Sequence, residues 1–290
     1  MLLAAGLVVA GLTAGSGDAG ADVPFPQGTV QRNLTYCNSQ QLDLYLPRTA
    51  PVRPRPVAMY VHGGGMTSGD KSDLDPIFLD PLAQAGYAVV SVDYRLAPAS
   101  HFPAQIRDVT CAIRYLRAKA ARYGLDKKEF FAFGTSVGGQ LVALAALARS
   151  QPSFDVGPYR TQASSLAAVV DMFGPANLTE PASGFTASGI QDAFGTSARR
   201  DLVLASPVHY VVPGAPPILL VQGVDDTKVL KSQSLELYRD LRAAGDPAQL
   251  LVVQNMGHMY MQVGPKPLRP SMRTIAQDMV RFFDAVRSAP

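Results

Sequence analysis

Cysteine, histidine and uncompensated charge are all scarce in this chain, and each shortage excludes a class of protein. Two cysteines in 290 residues cannot staple a small core in the manner of a disulfide-dense scaffold. Four histidines, with no His/Cys cluster at ligand spacing, lead us to expect no metal and no organic cofactor. A formal charge of +3, spread over scattered basic residues, is too mild to grip a phosphate backbone, so no nucleic-acid partner is expected. No stable membrane span is expected either, because the apolar run over residues 2–14 is too short to cross a bilayer. No internal repeat is visible.

What is present is chemically specific. Ser136 lies in Gly134-Thr135-Ser136-Val137-Gly138, after the apolar run Phe130-Phe131-Ala132-Phe133 and before an Ala/Leu-rich stretch. Strand, then G-x-S-x-G, then helix lifts a serine onto a sharp turn at the mouth of a sheet. The flanking glycines let the backbone bend and let strand and helix approach closely. Alone, the motif is as easily an ordinary turn.

Two further features favour the nucleophile. Upstream, the apolar segment Val57-Ala58-Met59-Tyr60-Val61 runs into His62-Gly63-Gly64-Gly65-Met66. Such a glycine loop exposes backbone N–H groups that can converge on a developing oxyanion; the plain alternative is a flexible loop. Downstream, the strand-like Ile218-Leu219-Leu220-Val221-Gln222 ends in Gly223-Val224-Asp225-Asp226, and Leu250-Leu251-Val252-Val253 leads to Gly257-His258. A carboxylate past one strand end can reach a histidine after the next. With so few histidines, His258 is the expected base. His62 belongs to the glycine loop and is expected to be structural, and His101 and His209 read as surface or packing residues.

These blocks, together with Ser68-Gly69-Asp70-Lys71, Asp93-Tyr94-Arg95-Leu96-Ala97-Pro98, Phe102-Pro103-Ala104, Asp108-Val109 and Ser206-Pro207-Val208, resemble the α/β-hydrolase superfamily. The likeness is to carboxylesterases of the branch shared by hormone-sensitive-lipase-like and small bacterial polysaccharide-associated esterases, and it runs from about Leu42 to the C-terminus. It implies Ser136 as nucleophile, Asp226 rather than Asp225 as the acid, His258 as the base, and the amides of Gly64, Gly65 and Val137 as the oxyanion hole. The chain departs from the family at several places. Val137 replaces a usual Ala, Gln222 a common His and Leu230 a common Pro, and Gln222 and Leu230 are not expected to touch the chemistry. Met66 stands where a larger aromatic is frequent. Met66, Met256, Met259 and Tyr260 are expected to line an apolar pocket for small to medium acyl esters.

The expected fold class is α/β. Alternating strand-like and helix-like segments predict a mostly parallel central sheet with helices on both faces and a small cap or lid insertion. Helices are expected over residues 108–122, 232–244 and 274–287. Residues 22–290 read as one catalytic domain, with residues 178–205, rich in Gly, Ser, Thr and Ala, as either a lid or pocket wall or a passive surface excursion. Residues 1–21 read as an export leader with a small-x-small site at Ala19-Gly20-Ala21, although no basic residue precedes Arg32; the alternative is a disordered Gly/Ala tail on a cytoplasmic protein. On a helix from about Gln105 to Tyr123, Ile106, Val109, Ile113 and Leu116 share a face, and Cys111 points away from it. A Cys37–Cys111 disulfide is therefore expected, against two independently packed thiols. Three functions stay open at this level: an ester hydrolase acting on a small molecule, an amidase, formamidase or peptidase with the same triad, and a binding protein on the same fold. Oligomeric state is not legible.

Overall fold

The computed structural model describes residues 23–48, 54–180 and 183–287. The expected leader, residues 1–21, lies outside the described residues.

Strand runs rich in Val, Phe and Leu, bounded by glycine and proline, build one sheet among the described residues. In chain order the elements are β1 (Gly28–Thr35), β2 (Gln41–Pro47), β3 (Arg55–Val61), α1 (Pro76–Gln84), β4 (Ala88–Val92), α2 (Ala104–Ala118), α3 (Ala120–Tyr123) and β5 (Leu125–Thr135). There follow α4 (Val137–Leu147), β6 (Ala168–Met172), α5 (Ala187–Phe194), α6 (Arg199–Leu204), β7 (Ile218–Gly223), α7 (Lys231–Ala243), β8 (Ala248–Val253) and α8 (Met272–Arg287). The spatial order is β1-β2-β4-β3-β5-β6-β7-β8. β1 and β2 join antiparallel, and from β4 to β8 every pairing is parallel.

Side chains alternate across this sheet with a period of two, and each face carries its own core. Val57, Met59 and Val61 of β3 pack with Ile106, Val109, Ile113 and Leu116 of α2, Leu141 and Leu144 of α4, and Leu237 and Leu241 of α7. Ala58 and Tyr60 of the same strand face the other way, toward Phe78 and Leu82 of α1 and Met279 and Phe283 of α8. Strands buried on both faces read as near-continuous apolar runs, and that is what β3 to β7 show.

The register consequence is functional. Parallel strands end at one edge, so the loops after β3, β5, β7 and β8 gather there. Helix bounds fall near expectation: Gly124 at φ 66° closes α3, and Gly245 at φ 84° follows α7.

The surroundings of α2 differ from the one-faced helix drawn from its sequence. Cys111 is buried, because the turn at Cys37–Ser39 and the segment around 154–158 cover the side opposite the sheet. Cys37 and Cys111 are bonded to each other across 74 residues of sequence. Asn38, beside the bond, donates to Asp108 Oδ1 at 2.8 Å, and Arg95 grips the same carboxylate through Nε and Nη2, each at 2.8 Å.

Candidate active site

Ser136 sits between β5 and α4 with φ 54° and ψ −124°, a conformation that costs a non-glycine residue on the order of 1–3 kcal/mol. Close approach of small residues holds it there. A Cβ on Gly138 would lie 2.0 Å from the Val61 carbonyl oxygen, and one on Gly134 would lie 2.4 Å from the Gly138 backbone. The Ser136 N–H is tied to Met172 O at 2.9 Å, and its own carbonyl accepts from Gln140 N at 3.1 Å.

A continuous hydrogen-bond chain leads away from the serine. Ser136 Oγ lies 3.0 Å from His258 Nε2, and His258 Nδ1 lies 2.8 Å from Asp226 Oδ2. Nδ1–H donates to the carboxylate, which leaves Nε2 bare to accept the serine proton. Asp226 is buried in the turn after β7, where Lys228 N–H and Val229 N–H hold Oδ1 at 2.8 and 3.0 Å. Asp225, its neighbour, is exposed and is not part of this chain. Phe173, at φ 47° just past β6, sets its ring edge-on to His258 with centroids 5.1 Å apart.

The glycine loop is clamped from beneath. Tyr94 Oη donates to His62 O at 3.0 Å and Gly63 O at 2.9 Å, and its ring stacks on His62 at 4.1 Å. Burial raises the Tyr94 phenol well above its ordinary value, so it remains a donor. Burial lowers the His62 imidazole, which is neutral and gives its Nδ1–H to Gly63 O at 2.8 Å. A trans peptide sets C=O and N–H on opposite sides. With the Gly63 carbonyl held inward by two donors, the Gly64 N–H is turned outward. The Gly64 carbonyl accepts from Thr67 N–H and Ser68 N–H at 3.0 and 3.1 Å, which turns the Gly65 N–H the opposite way. Among the described residues, neither these two amides nor that of Val137 has a protein acceptor. His62, as anticipated, is structural; His101 and His209 are exposed.

These groups open onto one cavity of about 430 Å³, lined by Gly64, Gly65, Ser136, Val137, His258 and Met259 among others. Of the four residues expected to line it, only Met259 does. Met66 and Met256 are fully buried in the two cores. At φ 68° Met66 turns away from the loop's open side, and Met256 is drawn under Asp225, whose N–H it accepts at 3.0 Å. Tyr260 packs against Phe78 and Phe173 and directs its hydroxyl to Met172 Sδ at 2.7 Å. Ser183, Phe185, Thr186 and Asp192 supply a wall that no motif announced. They come from the 178–205 segment, of which residues 181–182 lie outside the described residues. Phe194 anchors that segment against Phe102, with centroids 5.4 Å apart.

One expectation fails here for a clear reason. Gln222 does touch the candidate chemistry, with Nε2 3.3 Å from Asp226 Oδ2. A parallel strand's last side chains point at the loops of its own edge, so a residue four before the acid reaches it.

Known proteins resemble this chain in sequence and in fold. The BD-FAE family model matches residues 42–241. Esterase LipC of Mycobacterium tuberculosis is 28% identical over 246 residues, which cover 82% of this chain and 61% of the relative. The ethyl acetate hydrolase of Pseudomonas putida is 29% identical over 227 residues, 75% of this chain and 70% of the relative. The chain thus spans about half to three-fifths of the first curated relatives it matches, at 61%, 53% and 47% of their lengths. A solved structure of a truncated carbohydrate esterase from gut microbiota superposes with a TM-score of 0.76 and 27% identity, covering 92% of this chain and 99% of that one. The fold is the α/β-hydrolase fold of these esterases.

Proposed function

Since the chain belongs to the BD-FAE family, we propose that it is a serine carboxylic-ester hydrolase working through an acyl-enzyme. The observation that carries this reading is the unbroken run Asp226–His258–Ser136, with contacts of 2.8 and 3.0 Å, opening beside loop amides that have no acceptor among the described residues. Neutral Ser136 is a weak nucleophile, so His258 Nε2 takes its proton as Oγ attacks the ester carbonyl. Asp226 keeps the imidazole in the Nδ1–H tautomer and stabilises the cation that forms. The Gly64, Gly65 and Val137 N–H groups receive the oxyanion, each such donor worth roughly 10²–10³ in rate. His258 then returns its proton to the leaving alcohol, activates a water, and the acid departs.

The cavity of about 430 Å³ suits a small to medium acyl group. The resemblance to the ethyl acetate hydrolase of Pseudomonas putida supports a short acyl chain. We also infer export: the apolar, small-residue sequence of residues 1–21 supports it, and so does the Cys37–Cys111 bond, which suits an oxidising compartment.

The test is hydrolysis of p-nitrophenyl esters from acetate to palmitate, with Ser136→Ala alongside and a fluorophosphonate label as a second readout. Turnover that peaks at short chains and disappears with the label in Ser136→Ala is expected. A folded wild-type protein that neither labels nor hydrolyses any ester would refute the reading.

A further inference from the structure

Gln222, the penultimate residue of β7, is fully buried, and the mechanism above gives it no part. Its amide is nevertheless held by partners on both ends. Ser234 Oγ, on α7, donates to Oε1 at 2.8 Å. Around Nε2 stand Val229 O at 3.1 Å, Asp226 Oδ2 at 3.3 Å and Gly223 O at 3.4 Å. Carbonyl and ionised carboxylate oxygens carry no proton, so only the NH₂ end fits among these three. The hydroxyl of Ser234 completes the match at the other end.

The oxygen that Gln222 reaches is the one that accepts from His258 Nδ1. Backbone N–H groups hold only Oδ1 of Asp226. Without Gln222, rotation of the carboxylate about its last bond would be opposed on the Oδ2 side by His258 alone. The titratable and charged groups around Gln222 are Asp226 and His258. Asp225 and Lys228 on the same loop are exposed, and Glu236 of α7 is engaged by Asn177 Nδ2 at 2.7 Å.

We propose that Gln222, oriented by Ser234, is a positioning residue that fixes Asp226 Oδ2 for His258. The proposal rests on the reading of Ser136, His258 and Asp226 as the reacting triad. It adds a neutral amide that both aims the carboxylate and spreads part of its charge. Two consequences follow. Loss of the amide loosens the triad, which lowers kcat while leaving KM alone. It also leaves the carboxylate oxygen facing His258 without its second donor.

The experiment compares wild type, Gln222→Leu, Gln222→Glu and Ser234→Ala on p-nitrophenyl acetate from pH 5 to 10, with a thermal melt of each. Gln222→Leu is expected to lose about tenfold in kcat, given that misplacement by ~1 Å costs on the order of 10², with KM within about twofold. Gln222→Glu is nearly isosteric and keeps an acceptor for Ser234, but can donate to Asp226 only while protonated. Its kcat should therefore acquire a descending limb toward high pH that the wild type lacks. Ser234→Ala should show a smaller loss of kcat than Gln222→Leu. If Gln222→Leu fails to fold, the isosteric variant decides. Folded variants whose profiles superimpose on an active wild type would overturn the proposal while leaving the triad reading intact. A wild type that hydrolyses no ester would overturn the triad reading itself.

Discussion

Replacing Tyr94 with phenylalanine removes one hydroxyl from beneath the glycine loop and leaves its ring in place. The stack on His62, with centroids 4.1 Å apart and planes within 10°, needs no hydroxyl and should persist. What is lost is a donor to two carbonyls, His62 O at 3.0 Å and Gly63 O at 2.9 Å. Gly63 O retains the His62 Nδ1–H at 2.8 Å, so the loop peptide is loosened and not released. One buried hydrogen bond with a partly unsatisfied acceptor costs about 1–2 kcal/mol. In a domain of this size that lowers the melting temperature by roughly 2–4 °C per kcal/mol.

The catalytic cost follows from the same geometry. Full removal of one oxyanion donor costs roughly 10²–10³ in kcat, and a Gly64 amide still aimed by His62 should lose only part of that. We expect about a tenfold fall in kcat for p-nitrophenyl acetate, equal to about 1.4 kcal/mol of transition-state stabilisation. KM should stay within about twofold, because the amide acts on charge that develops only in the transition state. Initial rates across substrate concentration, beside a thermal melt, make the check. A variant whose melting temperature falls while kcat is unchanged would make Tyr94 a packing residue and refute the clamp.

Three further outcomes can be stated. Asp171 is buried beneath the elbow, where desolvation pushes its carboxyl up to about 7 while the Gly174 N–H works against the shift. The native state therefore keeps this proton to higher pH than the unfolded chain, and stability is full below about pH 4 and declines as pH rises toward 7, by about 4 kcal/mol in all. Asp171→Asn keeps an acceptor for Gly174 and cannot ionise, so its unfolding free energy should gain on wild type across that range; a pH-independent difference would contradict this. Removing the Cys37–Cys111 bond, which closes 74 residues of sequence, should cost about 2–4 kcal/mol in denaturant unfolding, and an unchanged midpoint would refute it. Gly138→Ala sets a Cβ 2.0 Å from Val61 O and 2.5 Å from His62 O. Backbone cannot swing aside, so a loss of about 1–3 kcal/mol together with reduced kcat is expected, and wild-type melting and rates would show that the contact relaxes freely.

Much of the fold and of the candidate site was legible because its groups sit where sequence marks are strong. The serine elbow, the glycine loop, Asp226 and His258 each follow an apolar strand run, and parallel strands bring such ends to one edge. The cavity wall was legible only as a segment, residues 178–205, and its members Ser183, Phe185 and Asp192 could not be singled out because that segment carries no motif or sharp periodicity. Proximity in sequence misled for Met66 and Met256, which neighbour reacting groups yet turn into the core. Tyr94 just past β4, Phe173 just past β6 and Gln222 in β7 act on those groups through contacts 31, 85 and 4 residues away in sequence, for Gly63, His258 and Asp226 respectively. Only the last is near enough for spacing to have hinted at it. Cys111 shows the limit of an amphipathic reading: one apolar face predicts one exposed face only where nothing else covers the helix, and here the segment around 154–158 does.

Strand order also explains how one edge can hold opposed electrostatic tasks. β3 and β5 are adjacent, and their ends supply the loop amides, donors suited to negative charge, and the strained serine, whose hydroxyl faces His258. β7 and β8 are adjacent, and their ends supply the carboxylate and the imidazole that the proposed reaction uses to move the proton. β6 lies between the pairs and contributes Phe173 against the imidazole and Met172 O on the serine N–H, at 2.9 Å. A polar side chain in place of Phe173 would compete for the same donors, whereas a ring edge and a spent carbonyl do not, and the strand's own acid, Asp171, is turned to the Gly174 N–H at 2.9 Å. The apolar ring that follows the strand separating the two pairs is therefore a condition of the proposed chemistry, as well as of the core.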